Sequence, residues 1–446
     1  MDSTLAYIDQ GSFLGLRALG RGPLPQFTWV YEHPIDLDGL RRFHRNLGYG
    51  LLGRRIERSP LPFGRHHWVA WRGPADIEMS GAVIPRAEVV GWADEQARLP
   101  IDPEYGPSWR LAAQPLDDGG TAVTLVATHT ICDGLAMTQA IAEAASGVTR
   151  DLGYPAPGSR PRGRALREDT LQIARAVPAM IDAAVAALRL ARNNRDELNT
   201  SSIRSAPARN VDGVAPATAP MVVAYIDEQV WHRRAQALGG TSNSLFAGIA
   251  ARMGQLTGRV DDNGMVKLSL PVSERTEGDT RGNALNGMMI RVDPRNVSTS
   301  LTELRAELKK NLANLSENSL DLLGPLPLTP LVPVRLARRL EGMALGSGAP
   351  IGCSNLGAVP AAVNRPDGTD AEFLFARQTD SNATAAILDR IGGFLFLAAL
   401  EVNGKISLTV TSWKAGGANS REELTSWVRT ALDDFALDRV FEPTPE

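Results

Sequence analysis

Apolar and polar positions along the first 150 residues indicate short strands mixed with helices. Aromatic and β-branched residues at 27–31 and 68–71 favour two strands. Asp36 and Asp38 are suitable helix caps, and they predict a helix that runs to about Leu47. This part of the chain is therefore expected to combine a sheet with helices.

A further pair of apolar runs predicts a β-hairpin, because residues 109–113 and 121–128 flank an Asp-Asp-Gly-Gly turn at 117–120. Asp-Gly and Gly-Gly pairs favour tight hairpin turns. Residues 134–145 follow as a predicted helix, and Asp133 is placed to cap its first turn. The chain is thus expected to pass from a strand into a helix through a short turn.

The composition changes at residues 150–167, where Pro, Gly and Arg dominate and no apolar pattern is present. Such a stretch is typical of a linker. A long helix is predicted for residues 169–192, with a kink at Pro178. Residues 193–220 are again polar, which predicts a crossover between two domains. One face of the helix carries Leu171, Ala174, Val177, Ile181, Val185 and Leu188.

The remaining residues repeat the mixed pattern. Strands are predicted at 222–226 and 265–270, and helices at 244–256, 301–315 and 420–435.

Near the C-terminus, apolar or alternating runs at 393–402 and 405–412 are separated by Asn403-Gly404, a strong signal for a type I′ hairpin turn. The whole pattern predicts an α+β protein with two halves. The predicted domains are residues 1–150, a linker and crossover helix at 151–220, and residues 221–446.

Size and composition are those of a globular protein. The chain has 446 residues, 43% of them hydrophobic and 22% charged, which suits two to three domains. Its net charge of -3 gives no overall basic field for nucleic acid. The two cysteines, Cys132 and Cys353, are too few for a disulfide framework or a cysteine-ligated metal cluster. A reducing cytosol is the expected compartment.

The N-terminal sequence lacks a basic region followed by an apolar core, so no signal or transit peptide is expected. Uncharged apolar stretches such as residues 391–400 are shorter than the ~20 residues that cross a bilayer. Integral insertion is therefore not expected, whereas contact with a membrane surface stays open.

The most informative segment is THTICDG at residues 128–134. His129 stands at the end of a predicted strand, and an imidazole suits proton abstraction at neutral pH. Asp133 serves either the turn or the chemistry, and Gly134 permits backbone angles that a Cβ opposes. From the residues alone, His129 is either a general base or a satisfied core or turn residue.

His129, Asp133 and Gly134 match the HxxxDG signature of the chloramphenicol acetyltransferase-like superfamily. This superfamily includes condensation domains, plant acyl-CoA-dependent acyltransferases and wax ester synthase/diacylglycerol acyltransferases. The chain most resembles the last of these families, through six further segments in the same order. They are LAYIDQGSFL at 5–14, FGRHHWV at 63–69, residues 100–116 with the Pro-Ser-Trp at 107–109, PVSER at 271–275, GNA at 282–284 and CSNLG at 353–357.

The resemblance implies two chloramphenicol acetyltransferase-like subdomains, each a mixed β-sheet with helices, with an active-site tunnel between them. It implies that His129 is the general base that deprotonates an acceptor attacking a thioester carbonyl. It also implies that Asp133 forms a salt bridge with Arg275 and that Gly134 supports this motif. The residues expected to line the tunnel or to bind substrate are Thr128, Asn283, Ser354 and Asn355.

The expected activity is acyl transfer to a hydroxyl from acyl-CoA or from a carrier-protein phosphopantetheine thioester. No tightly bound cofactor and no metal are expected. The Gly134 N–H and the Asn355 side chain are candidate donors to the oxyanion. The expected partners are the thioester donor, a small-molecule or lipid alcohol and, for one donor type, an acyl carrier protein. No nucleic acid is expected, and membrane contact is peripheral at most.

Two alternatives remain open at this point. One is condensation-type amide formation with a carrier-protein donor, and the other is a non-catalytic relative that binds an acyl group or a lipid. Two departures bear on the substrate, because the family's tandem histidine is Thr128-His129 here and its Pro-Gly-Pro is replaced by residues 356–360. Both departures favour a divergent member that acts on a specialised metabolite.

Other residues have simpler interpretations. His66 and His67 form the only tandem histidine, but no acid stands at metal-ligand spacing, so a polar strand start is favoured. Cys132 is expected to be a small buried residue. Asn286 is either a loop residue or part of the tunnel lining. The arginines between residues 150 and 167 are expected to be a solvated linker.

Overall fold

The computed structural model describes residues 3–193, 217–315, 324–338 and 350–441. Its elements before residue 194 alternate between helices and strands, as predicted. The helices are α1 (Tyr7–Leu19), α2 (Leu37–Leu47), α3 (Val89–Arg98), α4 (Gly134–Ala145) and α5 (Arg162–Asn193). The strands are β1 (Pro23–Tyr31), β2 (Arg54–Glu57), β3 (His67–Ala70), β4 (Glu78–Met79), β5 (Trp109–Pro115) and β6 (Thr121–Ala127).

The second half, from residue 217 onward, has the same mixed character. Its helices are α6 (Glu228–Ala237), α7 (Ser242–Leu256), α8 (Thr302–Ala313), α9 (Ala385–Arg390) and α10 (Arg421–Asp434). Its strands are β7 (Met221–Asp227), β8 (Val266–Ser273), β9 (Leu285–Val292), β10 (Ile351–Ala358), β11 (Phe373–Asp380), β12 (Phe394–Val402), β13 (Lys405–Trp413) and β14 (Val440–Phe441).

The first sheet has five strands in the order β11-β1-β6-β5-β4. The hairpin predicted from the turn at 117–120 is present as β5 and β6, with Trp109 opposite Ala127. Trp109 and Leu125 are fully buried in its core. Because β6 ends at Ala127, the chain turns away from the sheet at Thr128 and His129.

The second sheet has seven strands in the order β14-β7-β13-β12-β10-β8-β9. Strand β10 runs parallel to both β12 and β8. The predicted type I′ turn is present between β12 and β13, where Asn403 and Gly404 have φ angles of 49° and 75°. Helix α7 supplies Phe246 to the core of this half, and Phe435, the residue after α10, packs there as well.

The second half contributes one strand to the first sheet. Strand β11 follows β10 in the chain, yet it pairs antiparallel with β1, so that Phe27 lies opposite Ala376. The first sheet is therefore completed by residues that lie beyond position 370. The domain boundaries at 150 and 220 stay a prediction, and one strand of the range 221–446 belongs to the first sheet.

Helix α5 begins within the stretch predicted as linker, so that part of the prediction is wrong. The turn starts at Pro161, whose carbonyl accepts a hydrogen bond from Ala165 N–H at 2.9 Å. A proline suits the start of a helix because its missing N–H is not needed there. Pro178 lies inside the helix, and the kink predicted there stays a prediction.

The buried carboxylate of Asp169 fastens the first turns of α5 to the first half. It accepts hydrogen bonds from Arg160 Nη1 at 2.9 Å and from the Ser59 hydroxyl, and His67 Nε2 lies 3.1 Å away. Although burial opposes ionisation, the hydrogen bonds from Arg160 and Ser59 hold the pKa of Asp169 below its usual value. Ionised Asp169 therefore stabilises the attachment of α5.

This attachment predicts a pH-dependent stability. A carboxyl whose pKa is lowered by folding stabilises the protein above its unfolded pKa of about 3.9, and this contribution is lost as the pH falls through the folded pKa. We expect Asp169→Asn to cost about 2 kcal/mol of unfolding free energy at pH 7. The difference from wild type should narrow below about pH 4.

Urea unfolding followed by circular dichroism across pH 3 to 7 measures this difference. Asp182→Asn is the matched control, because Asp182 is exposed on the same helix. A cost of Asp169→Asn that stays constant down to pH 3 would contradict the ionic attachment.

Candidate active site

The turn between β6 and α4 holds the predicted catalytic segment at residues 128–134. His129 is half-buried, and its backbone N–H donates to the Pro23 carbonyl at 3.0 Å, which ties it to the start of β1. Asp133 caps α4, since its Oδ1 accepts from Ala136 N–H at 2.7 Å. The predicted helix start at Gly134 and its predicted cap are both present.

Asp133 and Arg275 form an ion pair across the two halves. Asp133 Oδ2 accepts from Arg275 Nη2 at 2.7 Å and from Ala284 N–H at 2.8 Å. Asp133 is fully buried, and only 8% of the Arg275 side chain is exposed. The guanidinium also donates to the carbonyls of Gly282 and Arg281, each at 3.1 Å. The structure therefore brings together the pair expected from the family resemblance.

Asn283 determines which nitrogen of His129 carries the proton. Asn283 Nδ2 donates to Asp9 Oδ1 at 2.9 Å and to the His129 carbonyl at 3.0 Å, so the amide orientation follows from its partners. Asn283 Oδ1 then faces His129 Nδ1 at 2.8 Å and accepts its hydrogen. His129 Nε2 is consequently the nitrogen with the free lone pair.

Asp9 anchors this arrangement from α1. It is fully buried, and its carboxylate also accepts from the backbone N–H groups of Gly282 at 2.9 Å and Asn283 at 2.8 Å. Burial raises the pKa of Asp9, while the nearby Arg54 and these hydrogen bonds oppose the rise. A side chain at Gly282 would collide with Asp9, because an added Cβ would lie 2.9 Å from its Oδ1.

Arg54 holds the catalytic turn from another side. It is fully buried, donates from Nη2 to the Ile131 carbonyl at 2.8 Å and from Nη1 to the Tyr154 hydroxyl at 2.9 Å. Its guanidinium lies over the Trp68 ring at 4.1 Å. Sequence reasoning missed both Asp9 and Arg54 as site residues. Asp9 is the single charge in residues 5–14, which was its only signal, whereas Arg54 stands in the charged stretch 54–58 and had no signal of that kind.

A cavity of about 480 Å³ lies between the halves, and His129 and Gly134 are on its wall. Ser354, Asn355 and Asn286 line it from the second half. Much of the remaining second-half lining is apolar, with Phe246, Leu270, Val272, Leu285, Met288, Leu308 and Leu312.

Thr128 and Asn283 are placed differently from the expectation that they line the tunnel. Neither is among the described residues that line this cavity. The Thr128 hydroxyl accepts from Thr130 N–H at 3.3 Å and thus stabilises the turn. Asn283 lies behind the imidazole and orients it. Thr128 and Asn283 therefore act on the turn and on the imidazole of His129, and their side chains do not line the cavity.

Asn355 and Gly134 both lie on the cavity wall. Asn355 Nδ2 donates to Asn243 Oδ1 at 2.7 Å, and its Oδ1 accepts from Gly357 N–H at 3.0 Å. These bonds orient the amide. An added Cβ at Gly134 would lie 2.9 Å from Leu356 Cδ2, so glycine permits the close approach of α4 and β10.

The other histidines and the cysteine near the site are packed groups. Burial and the neighbouring Arg58 lower the pKa of His66 to about 4, and its ring packs edge-on against Phe13. His67 lies in β3 beside Asp169. Cys132 is fully buried, and burial raises the pKa of its thiol. Cys132 is thus the small buried residue that was expected.

No protein-family model matches the chain, and no curated protein sequence matches it. Solved structures match it over nearly its whole length. The first condensation domain of the CDA synthetase is 16% identical over 98% of this chain and 96% of that chain, with a TM-score of 0.58.

Two further solved structures are similar. The first condensation domain of the calcium-dependent antibiotic synthetase, in complex with a substrate analogue, is 17% identical over 98% of this chain and 97% of that chain, with a TM-score of 0.56. Polyketide synthase associated protein 5 from Mycobacterium tuberculosis is 15% identical over 96% of this chain and 97% of that chain, with a TM-score of 0.52.

These comparisons define the fold. The chain has the chloramphenicol acetyltransferase-like fold of condensation domains, with two subdomains that each combine a sheet and helices. The predicted fold class is confirmed. The closer resemblance to wax ester synthase/diacylglycerol acyltransferases stays a prediction.

Proposed function

We propose that this chain is a condensation-type acyltransferase, which moves an acyl group from a phosphopantetheine thioester on a carrier protein to an acceptor amine or hydroxyl. The observation that carries the proposal is the placement of His129. It lines the cavity between the halves, and Asn283 holds its Nδ1–H so that Nε2 is the basic atom. The condensation-domain fold of the chain supports the same class of reaction.

The reaction needs no covalent intermediate with the protein. His129 Nε2 takes a proton from the acceptor as the acceptor nitrogen or oxygen attacks the thioester carbonyl. A C–N or C–O bond forms, the C–S bond breaks as the intermediate collapses, and the proton passes from His129 to the departing sulfur. The product is an amide or an ester together with a free pantetheine thiol.

The oxyanion of the intermediate requires hydrogen-bond donors. Gly134 is the first residue of α4, where backbone N–H groups have no partner within the helix and the helix dipole is positive. The second hydrogen of Asn355 Nδ2 is another candidate donor, because its orientation is set by Asn243 and Gly357. Both residues lie on the cavity wall with His129.

Acyl transfer from coenzyme A to a hydroxyl is the principal alternative, because the same base serves either acceptor and the same thioester chemistry applies. The fold favours the carrier-protein donor, since the similar solved structures with TM-scores of 0.58 and 0.56 are of a synthetase condensation domain. The apolar side chains of the second-half lining suit an apolar acyl group or acceptor.

A paired-donor assay tests the proposal. One acyl group is supplied either on coenzyme A or on the phosphopantetheine arm of a carrier protein, with a pool of amines and alcohols, and thiol release and product mass are measured. We expect release that depends on the acceptor and on His129, with kcat/KM higher for the carrier-bound donor. Turnover restricted to acyl-CoA and alcohols would support the alternative, and binding without any turnover would support a non-catalytic role.

Asp9 is expected to act as a positioning residue. Asp9→Asn removes a buried negative charge and one acceptor for the Asn283 N–H groups, so we expect kcat to fall by about 10- to 100-fold with little change in KM.

Steady-state kinetics from pH 5 to 9 measure both effects. Asp38→Asn is the control, since 80% of the Asp38 side chain is exposed and it lies on α2. A rise in KM as large as the fall in kcat would contradict the positioning role, because it would show that Asp9 acts on substrate binding.

A further inference from the structure

Helix α5 presents an apolar stripe to solvent. The stripe comprises Leu171, Val177, Ile181, Val185 and Leu188, whose exposed fractions range from 43% to 62%. At 3.6 residues per turn these side chains occupy about one third of the helix circumference. The face on which these residues were predicted to lie therefore points away from the protein. Large exposed apolar patches commonly mark an interaction site.

The opposite side of α5 is attached to the first half. Ala165, Asp169 and Ala183 are buried there, and Gln172 Nε2 donates to the Thr4 hydroxyl at 2.7 Å. Small side chains and polar anchors make this contact, so the large aliphatic side chains remain outside. The physical reason is that the anchors of Asp169 fix the rotation of the helix about its axis.

Among the described residues, α5 is the one helix that is long and apolar enough to cross a bilayer by length and composition. The attachment argues against a spanning arrangement, because Asp169 and Gln172 bind the body of the protein through the same helix. Arg175 and Asp182 also lie within the apolar region. A helix with one apolar face and one attached face suits the plane of a membrane surface.

Basic residues border the stripe. Residues 162–189 contain five arginines, against Glu168, Asp182 and the buried Asp169. By helical geometry, Arg164, Arg175 and Arg189 lie along one edge of the stripe together with Glu168 and Asp182, and Arg164 pairs with Glu168 at 2.8 Å. Arg175 forms no ion pair with another described residue, and it lines a surface cavity of about 790 Å³ together with Arg65 and Arg164. The five arginines exceed Glu168 and Asp182 by three, so the exposed part of this helix carries a net positive charge beside an aliphatic surface.

We propose that α5 docks the protein onto an anionic phospholipid surface. The helix lies parallel to the membrane, the stripe contacts the acyl chains, and the arginines along its edge contact the lipid phosphates. Charge complementarity favours this occupant over a second copy of the chain, because two α5 helices would bring together surfaces that each carry a net positive charge. The proposal is independent of the acyl-transfer chemistry at His129.

Vesicle sedimentation with the full chain tests the proposal. The probes are unilamellar vesicles of phosphatidylcholine alone and of phosphatidylcholine with phosphatidylglycerol. We expect binding to the anionic vesicles that weakens as salt is added, and roughly tenfold weaker binding for the double variant Ile181→Asp/Leu188→Asp. Arg175→Glu/Arg189→Glu should weaken binding to anionic vesicles and leave the weak binding to neutral ones unchanged.

The matched control is Val83→Asp/Val260→Asp, which places two carboxylates at exposed apolar positions on other segments. It should bind vesicles as wild type does. Because the substituted side chains are exposed, thermal unfolding should be unchanged, and so should thioester turnover with soluble substrates.

Absence of wild-type binding to anionic vesicles would overturn the proposal, as would equal weakening by the control. Light scattering tests the remaining occupant, a second copy of the chain. If wild type fails to bind vesicles and forms a dimer that the Ile181→Asp/Leu188→Asp variant converts to a monomer, the stripe serves self-association instead.

Discussion

His129→Ala is expected to reduce acyl transfer by about 10²- to 10⁴-fold, the usual contribution of a general base. The physical reason is that His129 Nε2 is the unprotonated nitrogen on the cavity wall, whereas Nδ1 is occupied by Asn283. With alanine at position 129, no side chain there can take the proton from the attacking amine or hydroxyl. Binding of the thioester should be retained, because the rest of the cavity lining is unchanged.

Thiol release measures the loss of turnover, and calorimetry with a non-reactive thioether analogue of the donor measures the retained binding. His33→Ala is the matched control, since His33 contacts its neighbour Pro34 at the surface and lies outside the cavity. A His129→Ala variant that keeps wild-type turnover would remove the general-base role. Lost binding in the same variant would instead indicate that His129 shapes the cavity.

Asp133→Ala is expected to destabilise the fold by about 3–5 kcal/mol, because it leaves a buried guanidinium without its partner. Only 8% of the Arg275 side chain is exposed, so water cannot replace the lost carboxylate. The change also removes the cap of α4 and the acceptor of Ala284 N–H. Acyl transfer should fall as well, since this carboxylate joins the catalytic turn to Arg275 and Ala284.

A double-mutant cycle measures the interaction free energy between Asp133 and Arg275, apart from their contacts with other residues. In urea unfolding, Asp133→Ala/Arg275→Ala should cost less than the sum of the single variants, because the double variant leaves no unpaired charge. Asp293→Ala is the control for an exposed pair, since 74% of its partner Arg295 is exposed, and we expect no measurable change. Wild-type stability of Asp133→Ala would contradict the pairing.

Local sequence patterns determined the elements that surround the site. The turn at 117–120 and the Asn403-Gly404 pair specified two hairpins, because few residues tolerate the backbone angles of such turns. The Asp133 cap specified the start of α4 in the same way. Each of these signals acts over fewer than ten residues, so the sequence alone was sufficient to predict them.

Such local patterns do not predict contacts between residues that are distant in the sequence. Arg275 lies 142 positions from Asp133, and only the resemblance to a family linked the two. Asp9 lies 274 positions from Asn283, and nothing in the sequence identified their hydrogen bond. The expected roles of Thr128 and Asn283 changed for the same reason, since a side chain's direction depends on how the two halves pack.

Helix α5 shows most clearly which features follow from the sequence and which depend on tertiary contacts. Its amphipathic period follows from the amino-acid sequence, because residues three and four apart share one face of any helix. Which face meets the protein was decided by tertiary contacts, through the bonds of Asp169 to Arg160 and Ser59. The sequence by itself thus determined the local elements, their caps and turns, and the candidate base. Only the tertiary structure decided that β11 joins the first sheet, which nitrogen of His129 carries the proton, and that the apolar stripe of α5 faces outward. Each of these depends on atoms that are brought together from distant parts of the chain.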